Sequence, residues 1–164
     1  QTPLRGEIMD TINKIMVNGQ SIEPTYRKKR GIVLLRQEND LIYISGHGPE
    51  DQISGKPLFS GRIGKDLTPE EGYQAARECA IIILGALKDT LGTLDRVERF
   101  VKVFGLVNCS EGFCAVDEVM DGFSDTIADV LEERGYHART VMGTHNLPNN
   151  NIPCEVEAII KIKL

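Results

Sequence analysis

Apolar residues recur along the chain at two different spacings, and the changes of spacing mark its elements. Thr2 and Pro3 suit a cap and a first helical turn, and Leu4, Ile8, Ile12 and Ile15 follow at helical intervals, which predicts a short amphipathic helix. Residues 19–30 lose that period, contain Pro24 and the basic run Arg27, Lys28, Lys29 and Arg30, and read as a connecting segment. Residues 32–36 and 41–45 have strand character and are separated by the turn-favouring pair Asn39-Asp40, so a hairpin is expected. From Gly46 to Gly64 there are five glycines and two prolines among few apolar residues, which predicts loop with a brief extended stretch over 58–63.

Helical spacing returns at Thr68-Pro69-Glu70-Glu71, where a hydroxyl, a proline and a carboxylate stand in capping-box order. The stripe Ala76, Cys79, Ala80, Ile83, Leu84 and Leu87 continues the helix, and Gly92 supplies its left-handed stop. Residues 97–107, rich in Val and Phe, form a strand in this reading. Phe123, Ile127, Val130 and Leu131 mark a second helix ending at Gly135. Strands over 138–146 and 154–163 close the chain, the last alternating Cys154, Val156, Ala158, Ile160 and Ile162 against Glu155, Glu157 and Lys161. The order ββαβαββ after a leading helix defines one α+β domain over 1–164, with both helices on one face of a sheet. No helix remains for the other face except the short first one, so burial against sister subunits is expected.

The composition supports a folded chain and narrows its partners. The 164 residues are 41% hydrophobic and 26% charged, a globular balance for one core. The formal charge is −5, the wrong sign for a surface that grips a phosphate backbone, so nucleic acid is not the expected partner. The longest apolar run, Ala80 to Leu84, is far short of the roughly 18 residues of a membrane span. The first residues, with Arg5, Glu7 and Asp10, lack a secretory layout, and residence in the cytoplasm is expected. Cys79, Cys109, Cys114 and Cys154 are too sparse for a disulfide framework and lack zinc-site spacing, so they read as packing thiols.

Motif chemistry is thin. His47, His137 and His145 form no HExxH arrangement, and neither metal nor organic cofactor is expected. Gly61-Arg62-Ile63-Gly64-Lys65-Asp66 precedes a helix but has two residues between its glycines where a P-loop needs four, and reads as a structural turn. The run Arg27 to Arg30 reads as a solvated surface, and no Gly-x-Ser-x-Gly elbow is present. Arg139 and Glu155, each opening a strand, remain as candidates, although either alone could be a surface charge.

An ordered set of residues goes further. Ser45-Gly46-His47-Gly48-Pro49, the helix with Ala75-Ala76-Arg77, His137-Ala138-Arg139, Leu147-Pro148 and Glu155-Val156-Glu157-Ala158-Ile159 together resemble the YjgF/RidA family, also labelled L-PSP endoribonucleases. The likeness spans about residues 41–163 and points to a divergent branch. It implies a chorismate mutase-like fold, a mixed sheet packed on two helices, assembled as a homotrimer with ligand clefts between subunits. It also implies cofactor-free hydrolysis of small reactive enamines or imines carrying a carboxylate, releasing a 2-oxo acid and ammonia. By the same resemblance Arg139 clamps the carboxylate, Glu155 positions the attacking water, and Ser45, Gly46 and Val141 line the cleft. Asp117 and Met120 stand where the helix borders the cleft, and Tyr26 is the candidate for an entering tyrosine.

A planar guanidinium is a two-pronged donor for a carboxylate, and a protonated imine needs only modest acid-base help through one water. Two further readings are a ligand-binding or chaperone-like trimer without turnover and the ribonuclease of the family label. The second is disfavoured by net acidity and by a chain with no Trp for a stacking platform. If the last two strands form a hairpin centred near Asn150, Arg139 lies opposite Lys161, and the Arg139 and Glu155 Cα atoms stand roughly 20 Å apart. The cleft then takes Arg139 from one subunit and Glu155 from its neighbour.

Overall fold

The computed structural model describes residues 6–7, 31–51 and 54–164. Of the expected opening helix only Gly6 and Glu7 are described, both helical and exposed; its apolar stripe, the connecting segment with Tyr26 and the basic run lie outside the described residues.

Five strands and two long helices follow: β1 (Leu35–Glu38), β2 (Leu41–His47), α1 (Pro69–Leu91), β3 (Val97–Asn108), α2 (Val116–Leu131), β4 (Ala138–Thr144) and β5 (Cys154–Ile162). They make an α+β fold with one mixed sheet in the order β1-β2-β5-β3-β4. Every neighbouring pair is antiparallel except β3 and β4, whose parallel pairing is connected through α2. Residues of one period in the strands, among them Ile42, Ile44, Val103, Val107, Val156, Ala158 and Ile160, join the apolar faces of α1 and α2 in a single core.

Local chemistry explains the boundaries of α1. Thr68 Oγ1 accepts from the Glu71 backbone N–H at 3.1 Å, and Glu71 Oε2 accepts from the Thr68 N–H at 2.7 Å, satisfying two donors that a helix start leaves open. Gly92, at φ 80°, closes the other end by donating to the Lys88 carbonyl. Between them, Cys79 to Leu87 are buried without interruption, more than a one-sided stripe requires. The two helices touch backbone to side at Gly122, where a Cβ would stand 2.0 Å from the Tyr73 carbonyl oxygen.

Several expectations need correction. The first strand runs over Leu35–Glu38 instead of ending at 36, because Asn39 takes φ 55° and the turn then needs only Asn39 and Asp40. Residues 58–63 form no strand; Ile63 alone bridges to Cys109 and Leu67, and Gly61, at φ 116°, turns the chain so that Asp66 accepts from the Arg62 N–H. The second helix ends at Leu131, and Glu132–Gly135 is a separate 3-10 turn. The largest difference is at the end of the chain. β4 and β5 do not pair; β5 lies between β2 and β3, while β4 is an edge strand beside β3. Asn149, Asn150 and Asn151 all have positive φ in the turn between them, which redirects the chain across β3 instead of folding it back on β4.

Candidate functional site

Alternation along β4 turns Arg139 and Val141 towards α2 and leaves Ala138, Thr140 and Met142 exposed. Val141 packs against the core, and Arg139 pairs in register with the buried Val103. Asp117, Asp121 and Ser124 lie at i, i+4 and i+7 on α2, one helical face, and all three hold the guanidinium. Arg139 Nη1 donates to Ser124 Oγ at 3.0 Å and pairs with Asp121 Oδ1 at 3.0 Å, while Nη2 donates to the Asp117 carbonyl at 3.3 Å. The Arg139 side chain is 20% exposed and that of Asp121 49%, so the pair sits at a rim where an outside molecule can reach it.

The network continues into His137. Its Nδ1–H donates to the Gly135 carbonyl at 2.6 Å, and its Nε2 lies 2.9 Å from Ser124 Oγ. Burial holds this imidazole below its usual range, the Gly135 carbonyl works against that shift, and the charge of Arg139 adds to it. A neutral ring with Nδ1 protonated makes Nε2 an acceptor, so the Ser124 hydroxyl donates to it and offers its lone pairs to Arg139. Phe100 and Phe123 flank the ring at centroid distances of 6.2 and 6.1 Å.

The other candidates sit across the sheet. Between Ile44 and His47 the β2–β5 register slips, so Ser45 and Gly46 together stand opposite Glu157. Gly46 is pressed against Glu155: a Cβ there would be 2.3 Å from Glu155 Oε1, so any side chain at this position would displace the carboxylate from where it stands. The Ser45 hydroxyl donates to the Val33 carbonyl at 2.7 Å. On the same open face a shallow cavity of about 260 Å³ is lined by Arg36, Tyr43, Ser45, Lys102, Phe104 and Glu157. Tyr43 and Met142 are 45% and 51% exposed there and beside it, a large apolar surface for a strand face.

Arg139 and Glu155 therefore do not meet within one chain. Val103 on β3 pairs with Arg139, and Leu106 with Glu155. Two strand spacings sideways and three residues along put their Cα atoms roughly 14 Å apart. The odd offset puts the two side chains on opposite faces of the sheet. The distance differs from the hairpin expectation because β3 separates the strands. Met120 is fully buried against Gly105 of β3 and belongs to the core, not to a cleft. Asp117 contributes its backbone oxygen; the carboxylate on Arg139 is that of Asp121, one turn further on. Asp121 and Ser124 were not singled out from the sequence, and His137 stood there in the His137-Ala138-Arg139 run, with no role of its own. The i, i+4 and i+7 spacing of Asp117, Asp121 and Ser124 was visible, but its meaning depends on β4 lying against α2.

Cys79 and Cys154 lie 3.7 Å apart, both buried, and burial followed by the Cys154 contact pushes the Cys79 thiol well up, away from a reactive thiolate. Among the described residues no cluster of three His, Cys, Asp or Glu could hold a metal ion, and no helix is long and apolar enough to cross a membrane.

A five-stranded mixed sheet over two helices, with an arginine at the head of the edge strand and a glutamate at the head of the central one, defines an α+β protein of the chorismate mutase-like class. The family described as "YjgF/chorismate mutase-like, putative endoribonuclease" matches over residues 39–160, and the chain belongs to it. Protein TCP17 of Trypanosoma cruzi is 38% identical over 122 residues, 74% of each chain. The crystal structure of Atu1372 from Agrobacterium tumefaciens superposes with a TM-score of 0.79 at 30% identity, covering 96% of this chain and 92% of that one. RidA from an Antarctic Psychrobacter shares the fold, with a TM-score of 0.59 at 17% identity over 87% of this chain and 97% of its own.

Proposed function

We propose that the protein is a cofactor-free hydrolytic deaminase of small enamines or imines that carry a carboxylate, acting as a homotrimer. In this reading residues 1–164 form one YjgF/RidA-like domain, with 1–30 as an N-terminal extension. The observation that carries it is the restrained Arg139: a guanidinium held by α2 at the rim of the edge strand, where a carboxylate can reach it. Membership of the family supports a deaminase-type or endoribonuclease-like role in general, and a guanidinium clamp favours the former.

The chemistry needs few groups. Water adds to the carbon of the protonated C=N bond, Glu155 accepts a proton from that water, and the proton returns to the nitrogen. As the carbonyl forms, ammonia leaves and the hydroxyl proton of the adduct passes to Glu155 and on to solvent, so the products are a 2-oxo acid, ammonia and the proton that had activated the C=N bond. Arg139 fixes the carboxylate and so the face presented to water. Because Glu155 and Arg139 of one chain face opposite sides of the sheet, Glu155, Ser45 and Gly46 of a neighbouring subunit complete the cleft. The exposed Tyr43 and Met142 support burial of the open face in a trimer.

One experiment tests turnover: 2-aminoacrylate generated enzymatically, with loss of its semicarbazone product trace relative to an enzyme-free control. A second tests the shared cleft. Arg139→Ala and Glu155→Ala trimers, each inactive, should regain activity when mixed under subunit exchange. Full activity of Arg139→Ala, or no recovery once exchange is shown by mass spectrometry, refutes the mechanism. Binding without turnover would instead favour a ligand-binding trimer, a reading that the Asp121 carboxylate already on Arg139 supports.

A further inference from the structure

We propose that anion binding at Arg139 is coupled to uptake of one proton by His137 through the Ser124 hydroxyl, an inference that rests on the carboxylate reading of Arg139. The geometry is a single chain of contacts: Gly135 carbonyl, His137, Ser124, Arg139 and Asp121. With His137 neutral, the only hydroxyl proton of Ser124 is committed to Nε2, and Ser124 meets the guanidinium as an acceptor. When solvent delivers a proton to Nε2, both ring nitrogens donate. Nε2–H then donates to Ser124 Oγ, and the hydroxyl proton must turn away from the ring. The acceptors beside it are the Asp121 carboxylate and any carboxylate held on Arg139. Protonation thus converts Ser124 into a donor for the ligand.

Electrostatics acts in the same direction. The positive charge of Arg139 opposes protonation of His137, and an anion on Arg139 cancels that opposition. The charged groups facing the imidazole are few. Among the described residues, α2 presents the Asp121 carboxylate, through Arg139, and the Asp117 backbone carbonyl on the same guanidinium, with Phe123 against the ring; β4 presents Arg139; β3 presents Phe100. On the preceding turn Arg134 is engaged by the Leu94 and Val97 carbonyls, and Lys102 of β3 donates to Thr140 on the other face. In this network His137 is the side chain of the type that changes charge near neutral pH. By reciprocity, whatever favours His137 protonation on ligand binding tightens the ligand as pH falls. Ser124 and His137 are accordingly positioning residues for Arg139, not groups that touch the reacting atoms.

Pyruvate, ionised at every pH of interest, is the probe. Calorimetry of the full-length protein near pH 6, in two buffers of different ionisation enthalpy, should show net proton uptake on pyruvate binding, and affinity should rise roughly three- to tenfold from about pH 7.5 to 5.5, the range expected of one partly screened charge. In the wild-type protein the NMR titration of the His137 imidazole should move upward in pH on adding pyruvate, a measurement that needs no variant. His137→Gln should abolish the uptake, and Ser124→Thr, which keeps the hydroxyl, should preserve it while Ser124→Ala reduces it. Pyruvate binding without proton uptake in the wild type, or uptake undiminished in His137→Gln, overturns the coupling alone. Absence of pyruvate binding at every pH overturns the carboxylate reading of Arg139 and the coupling together.

Discussion

Replacing Gly122 with alanine sets two effects of opposite sign against each other. Alanine is the better helix former by about 1 kcal/mol, which on propensity alone makes the variant more stable. The added Cβ, however, would lie 2.0 Å from the Tyr73 carbonyl oxygen and 2.8 Å from its carbon, against the backbone of α1 and not the end of a flexible side chain. Relief requires α1 and α2 to part by roughly 1 Å, and an overpacked contact of this kind costs up to about 3 kcal/mol. The net destabilisation is about 2 kcal/mol, which for a chain of this length lowers the melting temperature by about 4–8 °C. Scanning calorimetry of both proteins at one fixed concentration measures it, the concentration being held because assembly shifts the midpoint. Because α2 carries Asp121 and Ser124, pyruvate affinity should fall with the stability. A melting temperature equal to or above that of the wild type would mean that propensity wins and that the helices do not approach as closely as described.

Two further outcomes follow from the site. Gly46→Ala should reduce turnover at least tenfold with little loss of stability, since the new Cβ displaces the end of the Glu155 side chain and not backbone; steady-state kinetics beside a melting curve checks this, and unchanged turnover sinks the role given to Glu155. Stability should fall as pH drops below the usual imidazole range: the His137 value is lower folded than unfolded, so between the two the unfolded chain binds more protons. Urea midpoints measured from pH 7 downwards should show that slope reduced in His137→Gln, and an identical slope refutes the assignment.

Much of this protein follows from nearest-neighbour chemistry. Thr68 and Glu71 cap α1 whatever surrounds them, Gly92 ends it, and the alternation from Cys154 to Ile162 assigns one face of β5 to the core, because caps and periods are properties of a few adjacent residues. Arg139 and Glu155 were legible as candidates for the same reason: each stands at a strand start in a recognisable run. Strand order was not legible. Alternation says which face of a strand is buried but not which strand lies beside it, and β5 entered between β2 and β3 because pairing on both edges buries its apolar face and satisfies its backbone, which a terminal hairpin with β4 would have left half undone. The choice among α2 residues was decided the same way. Met120 and Asp121 are adjacent in sequence, yet their directions differ by about 100° around the helix, and the packing of α2 over β3 and β4 sends one into the core against Gly105 and the other onto Arg139.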